Sequence, residues 1–555
     1  MQLDLWQALE KNAPVKKEDG NCPAKNSEIQ NEHHPESNTD KVNYNSLDFM
    51  EEYITSIENR GLSKTWEDIY DYVLNNGESG QLNVKNFGEM YEAGLAASDK
   101  FKKKNKGQYY TPKDVATVMS KWLDEGEGYN VCDVACGTGA LILNYLDYIG
   151  KETAKKLLEK GRIYLYDYDK TALKICKTSL LIKYGKDLGD KIHAIHCDFL
   201  DKGLTLPENC KTISNPPYAA IKEFRNDWNL TDVLCNSRDW YAAFMEKIFT
   251  QSRSAVVITP FSFISGKKFY SLRKEMCDIG NGFIVSFDNV PGNIFCGRKQ
   301  GIFNTNTANS VRAAITVFNK SNKLKGFKIS PLIRFKNKER EKLLQPSILE
   351  EEVGSERQVI SKTNREFKKI PKDMQDLYDK WTKDSAYTLR DFLSQNKTNY
   401  QISVPNTCRY NTTASYGKLN RGGIITLNIS GEYEFYFIYC FINSSFAYWW
   451  WRIFDGGITY PTNLLKDLPL PYNLASDYKK EEFKKIAIEM ISKEKDYVST
   501  KVNAGAKQEN IKFPKEYRRL INSRILRLLD TKKESIDIFE KLHSNSFFTK
   551  SEAGR

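Results

Sequence analysis

Short apolar runs that alternate with helical stretches dominate the chain between residues 107 and 320. Each run is rich in β-branched and aromatic side chains and has the length of a strand. The seven runs are VCDVA (131–135), IYLYDYD (163–169), IHAIHCD (192–198), KTISN (211–215), AVVITP (255–260), FIVSFDNV (283–290) and AAITVFNK (313–320). The first five alternate with helices, which predicts a parallel sheet covered on both faces. The last two have no convincing helix between them, so we expect them to pair antiparallel.

The region before these strands contains two kinds of pattern. From Phe49 and Tyr53 onward, apolar residues recur at helical spacing. Residues 12–45 are instead polar, and such a segment cannot bury enough surface to offset the entropy of ordering. The pattern predicts a flexible N-terminal segment (1–46) and a small helical domain (47–104).

Beyond residue 320 the pattern changes again. It is first lysine-rich and irregular, and from about Tyr387 to Tyr472 it is aromatic and β-like, with GEYEFYFIYCFINSSFAYWWWRIF at its centre. Residues 477–543 return to helical spacing with dense charge. These changes predict an α+β region (326–475) followed by a C-terminal helical segment (476–555).

Composition narrows the classes of function. The 555 residues are enough for about three domains. Lys and Arg outnumber Asp and Glu by 83 to 71, and the net charge of +12 favours an anionic partner without identifying it. No CxxC pair or Cys/His cluster has zinc spacing, so no metal site is predicted. The chain has neither a secretory leader nor about twenty consecutive apolar residues, which favours a cytoplasmic protein without a membrane segment.

Polar residues follow the first four predicted strands. The turn DVACGTG begins at Asp133, and its glycines would let the backbone bend tightly and approach a ligand. Asp167 ends the second strand, where a carboxylate can accept both hydroxyls of a ribose. Asp198 ends the third strand and Asn215 the fourth. Because a doubly wound sheet binds ligands at the carboxyl ends of its strands, these residues predict one site.

The order of the motifs adds a family resemblance. The motifs are GQYYTPKDVA (107–116), DVACGTG (133–139), LYDYDKTAL (165–173), CDFL (197–200), NPPY (215–218), DWYAAFMEKIF (239–249), VVITP (256–260) and SVRAAITVFNK (310–320). In this order the chain resembles the S-adenosylmethionine-dependent DNA adenine-N6 methyltransferases with an NPPY signature. It is most similar to the gamma class and to the modification subunits of type I systems. The resemblance implies a Rossmann-like class I methyltransferase domain (105–325), S-adenosylmethionine as cofactor, and a DNA target-recognition domain (326–475).

The resemblance also implies roles for the residues at the cofactor. Residues of the YTP motif and of the glycine turn would contact the methionine end: Tyr110, Thr111, Pro112 and the backbone of Asp133, Ala135, Gly137 and Gly139. Asp167 would take the ribose hydroxyls, and Asp198 the adenine amine. Phe199 would either stack on the cofactor adenine or pack in the core.

The NPPY motif fits methylation of an amine. The exocyclic amine of adenine is a poor nucleophile because its lone pair is conjugated into the ring. The side-chain oxygen of Asn215 and the carbonyl of Pro216 would accept its two N–H bonds, and Pro216 and Pro217 would hold these acceptors rigid. Tyr218 would stack on a base that has left the duplex. Phe318 falls where the family keeps a second aromatic wall, although a core position on its strand explains it equally well.

The partners implied are double-stranded DNA and the components of a restriction-modification or phage-defence system. The side chains of Trp449–Trp451 cannot share one face of a helix or strand; at least one should be core, and an exposed one would stack on or wedge between bases. The C-terminal helices would lie against the recognition region, form a homodimer, or bind a specificity subunit; a separate nuclease is a further candidate partner. Two other functions stay open: a catalytically inactive DNA-binding subunit of a defence complex, and a methyltransferase acting on RNA or on a protein glutamine.

Overall fold

The described residues form two compact units. The computed structural model describes residues 49–78, 82–98, 111–124, 128–295, 311–503, 506–531 and 535–548. The predicted flexible segment (1–46) lies outside them. The first unit holds the described residues up to Leu234, with Arg238–Thr259, Phe295 and Val311; the second holds Cys235–Ser237, Pro260–Ile294 and the described residues from Arg312 onward.

Three helices open the first unit, as their apolar spacing predicts. They are α1 (Phe49–Arg60), α2 (Leu62–Asn76) and α3 (Val84–Ser98). Their apolar faces meet around Trp66, which is fully buried. The hydroxyl of Tyr53 accepts a hydrogen bond from Trp66 Nε1 at 3.0 Å and donates one to the carbonyl of Met90 at 2.9 Å. Polar atoms in this core are therefore paired, which a buried hydroxyl requires.

Five parallel strands form the sheet of the first unit, in the order β3-β2-β1-β4-β5. They are β1 (Asn130–Val134), β2 (Ile163–Asp167), β3 (Ile192–His196), β4 (Cys210–Ser214) and β5 (Ser254–Pro260). The helices between them are α4 (Lys113–Leu123, before β1), α5 (Ala140–Tyr148), α6 (Lys151–Glu159), α7 (Lys170–Tyr184), α8 (Asp232–Ser237) and α9 (Trp240–Gln251). The predicted Rossmann-like α/β fold is confirmed, and its order places the ends of β1 and β4 side by side.

The second unit begins with a helix and a small mixed sheet. These are α10 (Tyr270–Ile279), β6 (Gly280–Phe287), β7 (Ala313–Lys320) and β8 (Gly326–Ile333). The predicted antiparallel pairing of β6 and β7 is confirmed. Strand β8 runs parallel to β6, although its sequence lies in the stretch that we read as irregular. Because β8 follows residue 325, the predicted domain boundary separates two paired strands; that boundary stays a prediction.

The rest of the second unit is mostly helical, with three short antiparallel pairs. The helices are α11 (Arg340–Leu343), α12 (Pro346–Glu351), α13 (Gln375–Asp384), α14 (Glu432–Ile442), α15 (Ser445–Phe454), α16 (Thr462–Lys466), α17 (Asp477–Ser492), α18 (Lys515–Leu528) and α19 (Ser535–His543). The pairs are β9 (Tyr387–Thr388) with β12 (Pro469–Leu470), β10 (Gln401–Pro405) with β11 (Ile424–Asn428), and β13 (Val498–Asn503) with β14 (Ala506–Ile511).

The aromatic segment at the centre of this unit is helical, which corrects the β-like prediction. Helices α14 and α15 are apolar on nearly every side and are buried on nearly every side, as core helices are. Trp449, Trp450 and Trp451 are 0, 8 and 1% exposed, so none of them is free to stack on a base. The indole N–H groups of Trp450 and Trp451 donate to carbonyl oxygens at 3.0 Å. The expectation that at least one of the three is core is confirmed, and packing describes all three.

The charged C-terminal helices pack onto these aromatic helices. Phe483 of α17 lies 4.8 Å from the ring of Phe437, and Phe539 of α19 lies 4.8 Å from the ring of Phe446. Residues of α18 complete the same core. Of the three arrangements expected for these helices, the packing against the predicted recognition region is therefore present.

A buried carboxylate joins the mixed sheet to helix α15. Asp288 follows β6 and lies 3.0 Å from a guanidinium nitrogen of each of Arg312, Arg334 and Arg452. Burial opposes ionisation of Asp288, but the three cations outweigh burial and lower its pKa. Since Arg312 precedes β7, Arg334 follows β8 and Arg452 belongs to α15, one side chain holds four elements together.

Candidate active site

The polar residues predicted from the strand ends lie at one edge of the first unit's sheet. Strands β1, β2, β3 and β4 are parallel neighbours, so their carboxyl ends meet there. Hydrogen bonds tie these ends together. Gly137 N donates to Asp167 Oδ2 at 2.7 Å, and Ser214 Oγ donates to the carbonyl of Val134 at 2.6 Å. The ends of β1, β2 and β4 are thus fixed relative to one another.

The glycine turn after β1 needs a backbone that side chains disfavour. Ala135, Gly137 and Gly139 have φ of 59°, 53° and 94°. A Cβ on Gly139 would lie 2.7 Å from Cys176 Sγ, so this glycine allows α5 to pack closely on α7. A Cβ on Gly137 would meet no atom within 4 Å, so the turn faces open space there. The turn leaves room for a ligand beside its backbone.

Asp133 supports this turn from below. Its carboxyl group is fully buried, and Oδ2 accepts a hydrogen bond from Ile142 N at 3.0 Å. Burial raises the pKa of Asp133 well above its usual range. Its side chain therefore fastens α5 to β1, which leaves the backbone to make the predicted cofactor contact.

Asp167 is held by two backbone amides at the end of β2. Oδ2 accepts from Gly137 N and Oδ1 from Asp169 N, both at 2.7 Å. Burial raises the pKa of Asp167 to about 6, although these two hydrogen bonds favour the ionised form. An ionised carboxylate has about four acceptor sites. Acceptor capacity therefore remains on Asp167 for a ribose hydroxyl.

Asp198 is enclosed by the segment that follows the NPPY motif. Oδ2 accepts from Arg225 Nη1 and from Trp228 Nε1, both at 3.1 Å, and Oδ1 accepts from Leu200 N at 3.0 Å. By the same count of acceptor sites, one lone pair on Oδ1 remains. That is sufficient for one N–H of an adenine amine.

Phe199 packs in the core, which decides between its two predicted roles. It is 4% exposed, and its ring lies 4.9 Å from that of Phe244 and 6.1 Å from that of Tyr166. The expectation that Phe199 stacks on the cofactor is corrected, because aromatic neighbours already cover the ring.

Asn215 is oriented by two hydroxyl groups. Its Nδ2 donates to Thr111 Oγ1 at 2.9 Å, and its Oδ1 accepts from the Tyr218 hydroxyl at 2.6 Å. The Tyr218 hydroxyl also lies 3.0 Å from the carbonyl oxygen of Ile258. These two bonds fix the direction of the Asn215 side-chain oxygen. Thr111 thus has an orienting role that sequence reasoning missed.

The remaining residues of the two motifs frame this amide. Pro216 is buried and Pro217 is half-buried. Pro112 directly precedes α4 and therefore places Thr111 at the start of that helix. Tyr110, predicted to contact the methionine end of the cofactor, lies outside the described residues.

Two aromatic rings lie beside Tyr218. Tyr241 approaches it edge-on at 6.4 Å, and Phe295 at 5.8 Å with an interplanar angle of 64°. Phe295 is half-buried and was not predicted. Its signal is weak, because NVPGNIF is a turn after β6 with no strand pattern to place its aromatic residue. The structure thus supplies a second aromatic side chain at the NPPY motif.

Phe318, predicted to be that second wall, belongs to the core of the second unit. Its ring is fully buried and stacks on Phe327 at 6.4 Å. A Cβ on Gly280 would lie 2.5 Å from the ring, so glycine at that position makes room for it. The prediction of base stacking by Phe318 is therefore wrong, and the core alternative describes its place.

These residues fit the cofactor that the resemblance implies. The turn at Gly137 is open, Asp167 keeps acceptor capacity for a ribose hydroxyl, and Asp198 keeps one acceptor site for an amine. In the part of the chain that the structure describes, no helix has the length and apolar character needed to span a membrane.

Comparisons with known proteins identify the family of this chain. The model of a family described as N-6 DNA Methylase matches residues 83–376, which is more than half of the chain. The methylase subunit of the Type I restriction enzyme EcoEI from Escherichia coli is 26% identical over 229 residues, covering 39% of this chain and 45% of that protein. The Type II methyltransferase M.PstI from Providencia stuartii is 26% identical over 203 residues, covering 34% and 39%. The chain spans less than half the length of these curated relatives.

Solved structures were compared as well. The M protein of the Type I restriction enzyme EcoKI is 12% identical with a TM-score of 0.32, covering 60% of this chain and 69% of that chain. A nuclease-deletion mutant of the Type ISP restriction-modification enzyme LlaGI in complex with a DNA substrate mimic is 11% identical with a TM-score of 0.44, covering 89% and 61%.

Proposed function

The chain belongs to the N-6 DNA methylase family, and from this premise we propose that it transfers a methyl group from S-adenosylmethionine to N6 of an adenine at a specific DNA site. The observation that carries the proposal is the amide of Asn215, held between Thr111 and Tyr218 at the end of β4. The glycine turn and Asp167 lie at the same sheet edge, where the methyl donor would bind.

The cofactor would be held by residues of three strand ends. The backbone of Ala135, Gly137 and Gly139 and the YTP residues would receive its methionine end, Asp167 the ribose hydroxyls and Asp198 the adenine amine. When bound, S-adenosylmethionine supplies a methyl group made electrophilic by its sulfonium. Because these groups are hydrogen-bonded before ligand arrives, little reorganisation is needed on binding.

Asn215 and Pro216 would direct the target amine. Asn215 Oδ1 accepts one N–H and the carbonyl of Pro216 accepts the other, which draws the nitrogen lone pair out of conjugation with the ring and directs it at the methyl group. Neither acceptor is a strong base, so the amine would lose its proton only after transfer has made it positive. Asn215 and Pro216 would therefore contribute to catalysis by orienting the amine and by stabilising the positive charge that develops on it.

Tyr218 and Phe295 would receive the base outside the duplex. The target amine is inaccessible in stacked DNA, and an extruded base needs aromatic surfaces to replace its stacking. Tyr218 is anchored by its hydroxyl at Asn215, so its ring stays beside the amide that binds the amine. Phe295 supports this ring from the side and offers a second aromatic surface.

The biological setting that we propose is a restriction-modification system. The relatives are named as a methylase subunit of a Type I restriction enzyme and as a Type II methyltransferase. The net charge of +12 suits a polyanionic substrate. Double-stranded DNA is thus the proposed substrate, and a specificity subunit or a separate nuclease is a proposed partner.

The test is methyl transfer by the purified chain. It would be incubated with radiolabelled-methyl S-adenosylmethionine and, in parallel, with unmethylated genomic DNA, structured RNA and a protein with an accessible glutamine. We expect N6-methyladenine in DNA, confined to one sequence motif. Label in RNA or protein alone would overturn DNA as the substrate. Cofactor binding without transfer to any substrate, with or without a specificity subunit, would overturn the enzymatic proposal.

Replacing Asn215 separates catalysis from cofactor binding. In Asn215→Ala the amine loses its oriented acceptor, so we expect turnover to fall by at least about 10²–10³-fold. The affinity for S-adenosylmethionine, measured by calorimetry, should stay near that of the wild type. Asn322→Ala, on an exposed turn between β7 and β8, is the control and should leave both quantities unchanged. Normal turnover by Asn215→Ala would contradict the mechanism.

A further inference from the structure

One tyrosine of the N-terminal helices contacts a carboxylate that follows β2. Tyr91 of α3 is 4% exposed, and its hydroxyl donates a hydrogen bond to Asp169 Oδ2 at 2.7 Å. Its ring packs against that of Trp66 at 6.2 Å in the core of the helical domain. Burial raises the pKa of Tyr91, so the hydroxyl keeps its proton and remains a donor. The domain thus presents a fixed donor to a carboxylate after β2.

Asp169 connects Tyr91 to Asp167, the carboxylate proposed to bind the cofactor ribose. Its backbone N–H donates to Asp167 Oδ1 at 2.7 Å, while its own Oδ1 accepts from Thr171 N and Ala172 N and so caps helix α7. Both oxygens of Asp169 are therefore occupied. Tyr91, Asp169 and Asp167 form a continuous chain of hydrogen bonds within the first unit.

Charge also links the two carboxylates. Burial is the main cause of the raised pKa of Asp167, and the negative charge of Asp169 adds to it. A hydrogen bond donated to a carboxylate withdraws part of its charge, and such bonds are roughly twice as strong as neutral ones. The Tyr91 hydroxyl should therefore weaken the repulsion that Asp167 experiences from Asp169.

We propose that Tyr91 is a positioning residue for the cofactor: through Asp169 it fixes the carboxylate of Asp167 and favours its ionised form. This rests on the proposed function, in which Asp167 binds the ribose. The helical domain then forms part of the cofactor site, although it contributes no residue to the predicted set of cofactor contacts.

A second tyrosine on the same interface provides a matched control. Tyr70 of α2 is also buried, and its hydroxyl donates to the carbonyl of Thr171 at 2.9 Å. That bond joins α2 to the start of α7 without touching either carboxylate. Loss of the Tyr70 hydroxyl should thus remove a hydrogen bond from the same interface without affecting the position of Asp167.

The experiment measures S-adenosylmethionine affinity between pH 5 and 8 by calorimetry on the full chain, without DNA. In Tyr91→Phe, which keeps the ring, we expect the dissociation constant to rise by about tenfold, as for a lost hydrogen bond to a charged group. The midpoint of the acid decline should move to higher pH, because Asp167 becomes harder to ionise. Tyr70→Phe should bind with the affinity and midpoint of the wild type.

A second variant guards against a mere folding defect. Asp169→Asn keeps the backbone N–H and a capping oxygen but removes the charge, so the midpoint should move to lower pH, opposite to Tyr91→Phe. A wild-type affinity and midpoint in Tyr91→Phe, or equal losses in both tyrosine variants, would overturn the proposal. Absence of cofactor binding by the wild type would also overturn it. A wild type that binds but does not transfer would overturn only the proposed function.

Discussion

The sequence predicts the position of the Asp167 carboxylate at a strand end but not its hydrogen bonds or its pKa. The strand end and the spacing predict an acceptor for a ribose. Only the fold reveals that two backbone amides already hold its oxygens and that burial raises its pKa to about 6. Because this pKa lies close to neutral pH, ligand binding at Asp167 should depend on pH.

Cofactor affinity should therefore fall in acid. Above about pH 7 Asp167 is ionised and can accept both hydroxyls; as the pH drops through about 6 it is protonated and one acceptor is lost. Well below this value affinity should decline by about tenfold per pH unit, the limit for one required deprotonation. Calorimetric titrations from pH 5 to 8 would measure it. Asp167→Asn should bind weakly at every pH, and a flat wild-type profile would refute the assignment.

Single residues away from regular strands were harder to predict. The positions of Asn215, Asp167 and Asp198 at one sheet edge could be predicted because each ends or follows a strand of a parallel sheet. Phe295 could not, since its turn has no periodicity that sets its direction. The choice of Phe318 failed because an aromatic residue on a strand is equally consistent with a core, which is where Phe327 and Gly280 enclose it.

At the scale of elements, alternation predicted strands well and buried helices poorly. All seven apolar runs form strands, because flanking polar residues and helices bound them. Helices α14 and α15 were misread since a segment that is apolar on every side has no helical period to detect. Strand β8 was missed because Lys328 and Pro331 interrupt its apolar residues.

Because Asp288 contacts arginines from three other elements, its replacement should strongly lower the stability of the second unit. Asp288→Asn leaves three buried guanidinium groups without an opposite charge, so the second unit should lose about 3–5 kcal/mol of stability. Urea unfolding with peptide-resolved hydrogen exchange would measure this loss in β6, β8 and α15. The exposed pair of Arg390 and Asp467 provides the control. Asp467→Asn should cost less than about 1 kcal/mol, and equal effects of the two variants would refute the role of Asp288.

At the scale of the molecule, the compact units do not follow the domains expected from composition. The second unit runs from Pro260 into the expected C-terminal segment, and one core joins residues between Ile370 and Phe539. Composition could not show this, because the charges of α17 and α18 suggest a separate surface while their apolar faces complete that core.

Deletion of residues 476–555 should therefore destabilise the rest of the second unit. The deletion removes Phe483 and Phe539 and uncovers the rings of Phe437, Phe446 and Trp449. We expect the truncated chain to aggregate, as measured by soluble yield and light scattering. Deletion of residues 549–555 removes none of these contacts and should leave a soluble protein. A soluble, monodisperse chain ending at residue 475 would contradict the shared core.

The position of the aromatic helices also has a consequence for synthesis. The ribosome delivers α14 and α15 before the residues that cover them, and Phe539 follows Phe454 by about 85 residues. At about 5–20 residues per second this delay is roughly 4–17 s. During that time the surface of Phe446 and Trp449 that Phe539 covers stays open on the nascent chain, while Trp381, made earlier, can already pack against the same two rings. The speed of translation beyond residue 454 therefore sets how long this aromatic surface stays uncovered.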